Sequence, residues 1–121
     1  MNTNSIIERR KTVSNIPEQW IKGCVQKGWL DYSNHAKCRM KERQIEDNKI
    51  IECILYGKVI ELQLQFEDVH VVFQEATESK PEIYVVIAAA YPFPLVVTVC
   101  RTIDEVWEYC NGYLKRRKRK C

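Results

Sequence analysis

Several features that would settle the class of this chain at once are missing from it. None of its six cysteines forms a C-x-x-C pair, and their separations match no usual zinc-ligand spacing, so a zinc protein ranks as a third reading only. No stretch is apolar enough to cross a bilayer: the longest, Tyr84 to Val99, is interrupted by Pro92 and Pro94. No apolar segment of the signal-peptide kind follows the polar start. The expectation is a cytoplasmic protein with no membrane partner and with reduced thiols, most of them packed as small hydrophobes. On that reading Cys100 and Cys110 belong to the core and Cys121 is an exposed thiol. No internal repeat is evident.

A large excess of one charge is also missing. Sixteen acidic residues stand against 19 basic ones for a net charge of +3, which excludes a uniformly basic, histone-like surface. The surplus is local. Lys115 to Lys120 is a run of six cations, Glu8-Arg9-Arg10-Lys11 adds a smaller group, and without the terminal run the remainder is slightly acidic. With 45% hydrophobic residues in 121, the chain can bury one core. Residues 1–15 read as a flexible N-terminal arm, 16–114 as a single α+β domain and 115–121 as a basic tail.

Within the domain the hydrophobic period changes once. Pro17 suits a first helical position, and Trp20, Ile21, Cys24 and Val25 recur on one face until Gly28. Asp31 or Ser33 can cap a second helix, with Ala36 and Met40 toward the core. A third, about residues 46–56, aligns Ile50, Ile51, Ile54 and Leu55 and stops at Gly57. Ile60, Leu62, Leu64 and Phe66 then alternate with polar residues as a half-buried strand, and Val69 to Glu75 follows as its hairpin partner. Glu82 to Ala90 and Leu95 to Arg101 are apolar on both faces and should be central strands. Thr102-Ile103-Asp104-Glu105 has the pattern of a capping box, opening a last helix with Ile103, Val106, Trp107, Cys110 and Leu114 inward. The expected architecture is N-terminal helices, a four-stranded antiparallel sheet and a C-terminal helix, with helices mainly on one sheet face.

The chemistry of interest lies on the second helix. His35, Arg39 and Arg43 stand at steps of four, which on a helix drift by only about 40° each and so form one polar stripe. An imidazole that titrates near neutrality beside two permanent cations fits the gripping of a phosphodiester and the transfer of a proton. A solvated helix face accounts for the same residues, with Arg39 and Arg43 paired to Glu42, Glu46 or Asp47.

The stretch Ser33-x-His35-Ala36-x-x-Arg39-Met40-x-x-Arg43-x-Ile45, followed by a Gly57-Lys58-Val59-Ile60-Glu61 step and by Leu95-Val96-Val97-Thr98-Val99 before an arginine, resembles the domain-of-unknown-function 4258 family. That family is similar to RelE-like, barnase-related toxins of bacterial type II toxin–antitoxin systems. The resemblance implies metal-independent RNA cleavage without a cofactor, by attack of the 2′-hydroxyl. The positions it implies are His35, Arg39 and Arg43 on the helix, and Thr98 and Arg101 on the last strand. It also implies partners: RNA, free or ribosome-bound, and a cognate antitoxin of a zinc-binding kind.

In such a reaction a base takes the 2′-hydroxyl proton, cations hold the crowded phosphorane, and an acid protonates the leaving oxygen. Lys37, with Arg116, Arg117 and Lys118 of the tail, would add sequence-independent contacts to phosphate. Thr98 and Arg101 point to opposite faces of an ideal strand, so both serve one site only if Arg101 lies past the strand end. His70 reads as solvent-facing or as a second acid/base, Asp31 as a helix cap or as the group orienting His35, and Tyr84 as core or cleft wall. The competing function is a noncatalytic module that binds nucleic acid or protein through the same helix and tail.

Overall fold

The computed structural model describes residues 15–65, 68–90 and 92–118. The expected arm up to residue 14, and residues 119–121 with Cys121, lie outside the described residues. Among those described, no helix is long and apolar enough to cross a membrane.

The amphipathic pattern before Gly28 becomes α1 (Asn15–Gln26), which places Ile21, Cys24 and Val25 in the core. Gly28, at φ 81°, closes it: its N–H reaches the Val25 carbonyl, and the Trp29 N–H reaches that of Cys24 at 2.8 Å. β1 (Asp31–Tyr32) leads into α2 (Asn34–Arg43), and α3 (Asp47–Tyr56) follows across a short turn. The Lys22 ammonium of α1 donates to the carbonyls of Ile54, Leu55 and Gly57, so a cation sits where α3's dipole ends.

β2 (Lys58–Gln65), β3 (Asp68–Gln74), β4 (Ile83–Ala88) and β5 (Leu95–Arg101) form the expected antiparallel meander. β4 is internal as expected, and β5 is flanked by β1 only at Leu95 and Val96. Two parts of the expected architecture are overturned. The sheet has five strands in the order β1-β5-β4-β3-β2 and is mixed, because β1 pairs parallel to β5. A strand of two residues is too short to show a period, which is why the pattern hid it. The C-terminal helix does not form: β6 (Trp107–Cys110) and β7 (Tyr113–Arg116) make a separate antiparallel hairpin. The Thr102–Glu105 pattern yields one turn, with Trp107 N–H on the Ile103 carbonyl at 3.0 Å, and then stops. Asn111-Gly112, both at positive φ (54° and 87°), is the two-residue turn that hairpins favour, and Trp107, Tyr109 and Tyr113 suit strands. Trp107 and Leu114 are buried as expected, but Ile103 is exposed in the loop before β6, and Cys110 is exposed because strand alternation turns it away from the side of Trp107. Of the other described thiols, Cys24 and Cys53 are buried, Cys100 is half-buried and Cys38 is exposed.

Strand register assigns the two faces of the sheet. Val71, Phe73, Ile83, Val85, Ile87, Val96 and Val99 meet the helices' Ile21, Val25, Ala36, Ile50 and Ile54, each fully or nearly fully buried, and each except Ala36 contributing about 1.5–3 kcal/mol. The opposite face carries the cross-strand rows Gln63–His70–Ala88, Glu61–Val72–Val86–Thr98 and Gln74–Tyr84–Cys100. The β6–β7 hairpin lies over the last row. The Trp107 ring stands 5.0 Å from that of Tyr84, and Gln74 is satisfied at both ends by the Gly112 carbonyl and the Leu114 N–H.

Candidate functional site

α2 is positioned by what the edge of β5 lacks. A sheet edge presents backbone groups with no strand to pair them. Ser33 meets the first of these: its N–H donates to the Val96 carbonyl at 3.0 Å and its hydroxyl to that of Val97 at 2.9 Å. Two successive carbonyls can face one residue because β5 bulges at Val97, where the register against β4 shifts. The same hydroxyl accepts the Ala36 N–H and caps α2, so Ser33, not Asp31, is the N-cap. Further along, the Arg43 guanidinium donates to the Val99 carbonyl at 2.5 Å. Arg101 in turn donates to the Arg43 carbonyl at 2.7 Å. The helix thus runs alongside β5 and seals its edge from Val96 to Arg101. The Tyr32 hydroxyl on Asp47 ties the entry of α2 to the start of α3.

The expected stripe therefore divides. His35 is exposed in the first turn, and Lys37 and Lys41 are exposed as well. Arg39, one turn after His35, is 35% exposed and pairs with Glu42 at 2.7 Å. Eight residues of helix separate Arg43 from His35 by about 12 Å and turn it by about 80°. That turn takes Arg43 off the solvent side and into the β5 edge. Thr98 sits beside the N-terminal end of α2, next to Val97, on the sheet face opposite the core helices. Its hydroxyl lies 4.0 Å from the Cys100 sulfur. Thr98 thus falls between the Val97 that Ser33 holds and the Val99 that Arg43 holds, with its hydroxyl toward Cys100. His35 and Arg39 stand a turn apart on the helix, and Arg43 and Arg101 meet at its far end. Arg101 there borders a cleft of 410 Å³ whose walls include Lys49 but also Glu46, Glu52 and Glu82, a mixed lining with no preference for anions. Glu75 beside Lys49, at 2.9 Å, holds that ammonium's pKa above its ordinary value.

The basic run begins inside the hairpin. Lys115 and Arg116 belong to β7. Arg116 lies over the Trp107 ring at 4.5 Å and makes a two-point contact with Glu61, at 3.0 Å each. That contact holds the Glu61 carboxyl below its usual range and the guanidinium above its own. Arg117 donates to the Asp104 carbonyl and stands 3.6 Å from Glu108, and Lys118 is exposed. His70 is half-buried in the Gln63–His70–Ala88 row, two strands from Thr98, and Asp31 is exposed on β1. Tyr84 is a wall residue beneath the hairpin. Burial, together with the neighbouring Cys100, pushes its phenol up to about 12. Burial does the same to the Cys53 thiol, also to about 12. Among the described residues, no three of His, Cys, Asp and Glu gather as a metal-ligand set.

Sequence reasoning missed two structural roles here. Ser33 serves both helix and strand, a duty signalled only by its place between β1 and α2. Gln74, the buried polar residue that receives the hairpin, looks in sequence like one more polar end of a strand.

Fold and site together define an α+β protein in which a basic helix closes one edge of a mixed sheet and leaves its histidine in solvent. The matching family model covers residues 32–101, the segment from β1 to the end of β5, and the chain belongs to that family, described as Domain of unknown function (DUF4258). Neither the curated proteins nor the solved structures contain a match to it.

Proposed function

We propose that this protein is a metal-independent endoribonuclease acting in the cytoplasm as the toxin of a toxin–antitoxin pair. The observation that carries the reading is the placement of His35: a solvent-open imidazole in the first turn of α2, with Arg39 one turn on and Lys37 and Lys41 exposed on the same helix. Along α2 the step from His35 to Arg39 is about 6 Å, within the reach of two groups that hold one phosphodiester and its neighbouring ribose. His35 takes the 2′-hydroxyl proton, the 2′-oxygen attacks phosphorus, and Arg39 binds a nonbridging oxygen as charge builds there. At this open site the departing 5′-oxygen is protonated by water. Thr98 adds a hydroxyl donor from the sheet. Arg43 and Arg101 support the helix and not the phosphate, and Lys37 and Lys118 supply the contacts that ignore sequence. RNA, free or on the ribosome, is the substrate, and an antitoxin, of zinc-binding kind, is the partner that covers the site.

A second reading has its own support. Two of the four cations on α2 are engaged, Arg39 with Glu42 and Arg43 with Val99. That favours a module that holds nucleic acid without cutting it. Incubation of the purified chain with mixed RNA in EDTA, beside His35→Ala, separates the two. Fragments ending in 2′,3′-cyclic phosphate, absent with the variant, support the nuclease. Intact RNA, retained at low salt and released at high salt with and without ribosomes, supports the binding module instead.

A further inference from the structure

On the other side of β1 from α2, the chain carries an aromatic pair, the exposed Trp29 and the half-buried Phe93. Trp29 is 47% exposed. Its ring lies 5.6 Å from that of Phe93, tilted by 44°, and the Lys27 ammonium stands 4.9 Å from its centroid. The backbone fixes this arrangement. The Gly28 turn ends α1 and delivers Trp29, while pairing of β1 with the start of β5 brings Phe93 alongside, through the Asp31 N–H on the Pro94 carbonyl at 2.9 Å.

The two strands then lead to Ser33, the cap of α2, and so to His35. Four extended residues from Trp29 to Ser33 cover about 13 Å, a span that a single strand of nucleic acid bridges in a few nucleotides. Along this one edge the exposed or half-buried cations are Lys27, Lys37 and Arg39, faced by Asp31 and Glu42.

We propose that Trp29 is a base-stacking platform for single-stranded RNA, holding a nucleobase a few nucleotides away from the phosphodiester at His35. The proposal rests on the RNA reading above and assigns the substrate as unpaired, since a base can lie flat on an indole only when it is out of a duplex. A half-exposed indole with a lysine over its ring combines the two elements by which single strands are held without sequence readout, an aromatic surface and a cation. The cation can move to the backbone phosphate when a base takes its place on the ring. Trp20 is half-buried and Trp107 is 1% exposed, so ligand-dependent quenching of tryptophan emission reports chiefly on Trp29.

The probe is a fluorescein-labelled oligothymidylate of about ten nucleotides, which has no 2′-hydroxyl and cannot be cut by the proposed route. An unlabelled copy serves for the quenching titration. Trp29→Ala is expected to weaken binding roughly tenfold at low salt. Trp29→Phe, which keeps a ring, is expected to restore most of the affinity while losing the quenching. Circular dichroism and the urea midpoint confirm that both variants fold. Wild-type affinity in Trp29→Ala overturns the platform, as does an oligonucleotide that the wild type does not bind. Loss of affinity in Trp29→Phe equal to that in Trp29→Ala overturns it too. The cleavage assay is read separately. Cutting that depends on His35, with affinity indifferent to Trp29, removes the platform and leaves the nuclease. No cutting, with affinity dependent on Trp29, does the reverse.

Discussion

The two sides of α2 carry similar residues and do different work. On the sheet side, Ser33 and Arg43 hold the carbonyls of Val97 and Val99, and Ala36 fills the core. On the outer side, His35, Lys37 and Lys41 face solvent and Arg39 touches only Glu42. Arg39 and Arg43 are one helical step apart and identical in type, yet Arg43 fastens the helix to the sheet and Arg39 pairs only within its own helix. The difference lies in what they meet. A strand edge next to a bulge leaves carbonyls that a long, permanently charged donor can reach, and solvent offers no such demand.

Breaking the sheet side should cost the most. Arg43→Ala leaves the Val99 carbonyl without its charged donor and removes a packed aliphatic stem, with an expected loss of about 2–3 kcal/mol. A lower urea midpoint at unchanged slope would show it. Arg43→Lys should recover less than half, because the guanidinium reaches the edge with a fork that an ammonium lacks. Ser33→Ala loses both the helix cap and the Val97 contact, for about 1–2 kcal/mol. Wild-type stability in Arg43→Ala would mean that the edge is sealed by packing alone.

A second arginine fastening, Arg116 on Glu61, helps hold the hairpin to β2 and sharpens the contrast, because it is an ion pair and not a carbonyl contact. A double-mutant cycle with Glu61→Gln and Arg116→Ala should give a coupling of about 1 kcal/mol, reduced by salt. Its pH dependence has a fixed sign. Arg116 lowers the folded-state pKa of Glu61 below the unfolded value of about 4.3. The stabilisation is therefore complete above that value and is lost as pH falls through the lower, folded pKa. The Arg43 contact has a permanently charged donor and a carbonyl acceptor, so acid should leave it unchanged. Acid titration of Arg116→Ala against Arg43→Ala tests this: only the first should lose part of the wild-type pH dependence.

How much of this was legible in the sequence follows from which forces act locally. α1, α3 and the meander from β2 to β5 announce themselves by period, because each buries a face along its own length. α2, which buries only Ala36, is marked instead by its cap and its polar stripe. The internal place of β4 follows from apolar residues on both faces, a pattern that β5 shares although β1 flanks only its first two residues. β1 left no trace, since its pairing to β5 depends on a partner more than sixty residues away. The last segment offered two local signals in conflict, a capping box at Thr102 and a turn at Asn111-Gly112. Tertiary contact with Gln74, Tyr84 and Glu61 favoured the hairpin, and neither signal contains those partners. The polar stripe was readable as a stripe. Its division was not, because only the bulge at Val97 and the free edge of β5 decide which arginine is consumed.

The smallest expected effect bears most directly on function. Arg39→Ala removes one surface pair between partners that are 35% and 57% exposed, and the expected change in stability is at most about 0.5 kcal/mol. His35→Ala, at an exposed position, should fall in the same range. If both variants melt with the wild type and both lose RNA cleavage, the outer side of α2 acts through chemistry and the inner side through architecture. A fall in midpoint comparable to that of Arg43→Ala would mean that the outer residues also hold the fold, and loss of activity would then say nothing about catalysis. Equal stability therefore has to be measured before any activity is compared, and the closeness of Arg39 to Arg43 on the same helix makes each the control for the other.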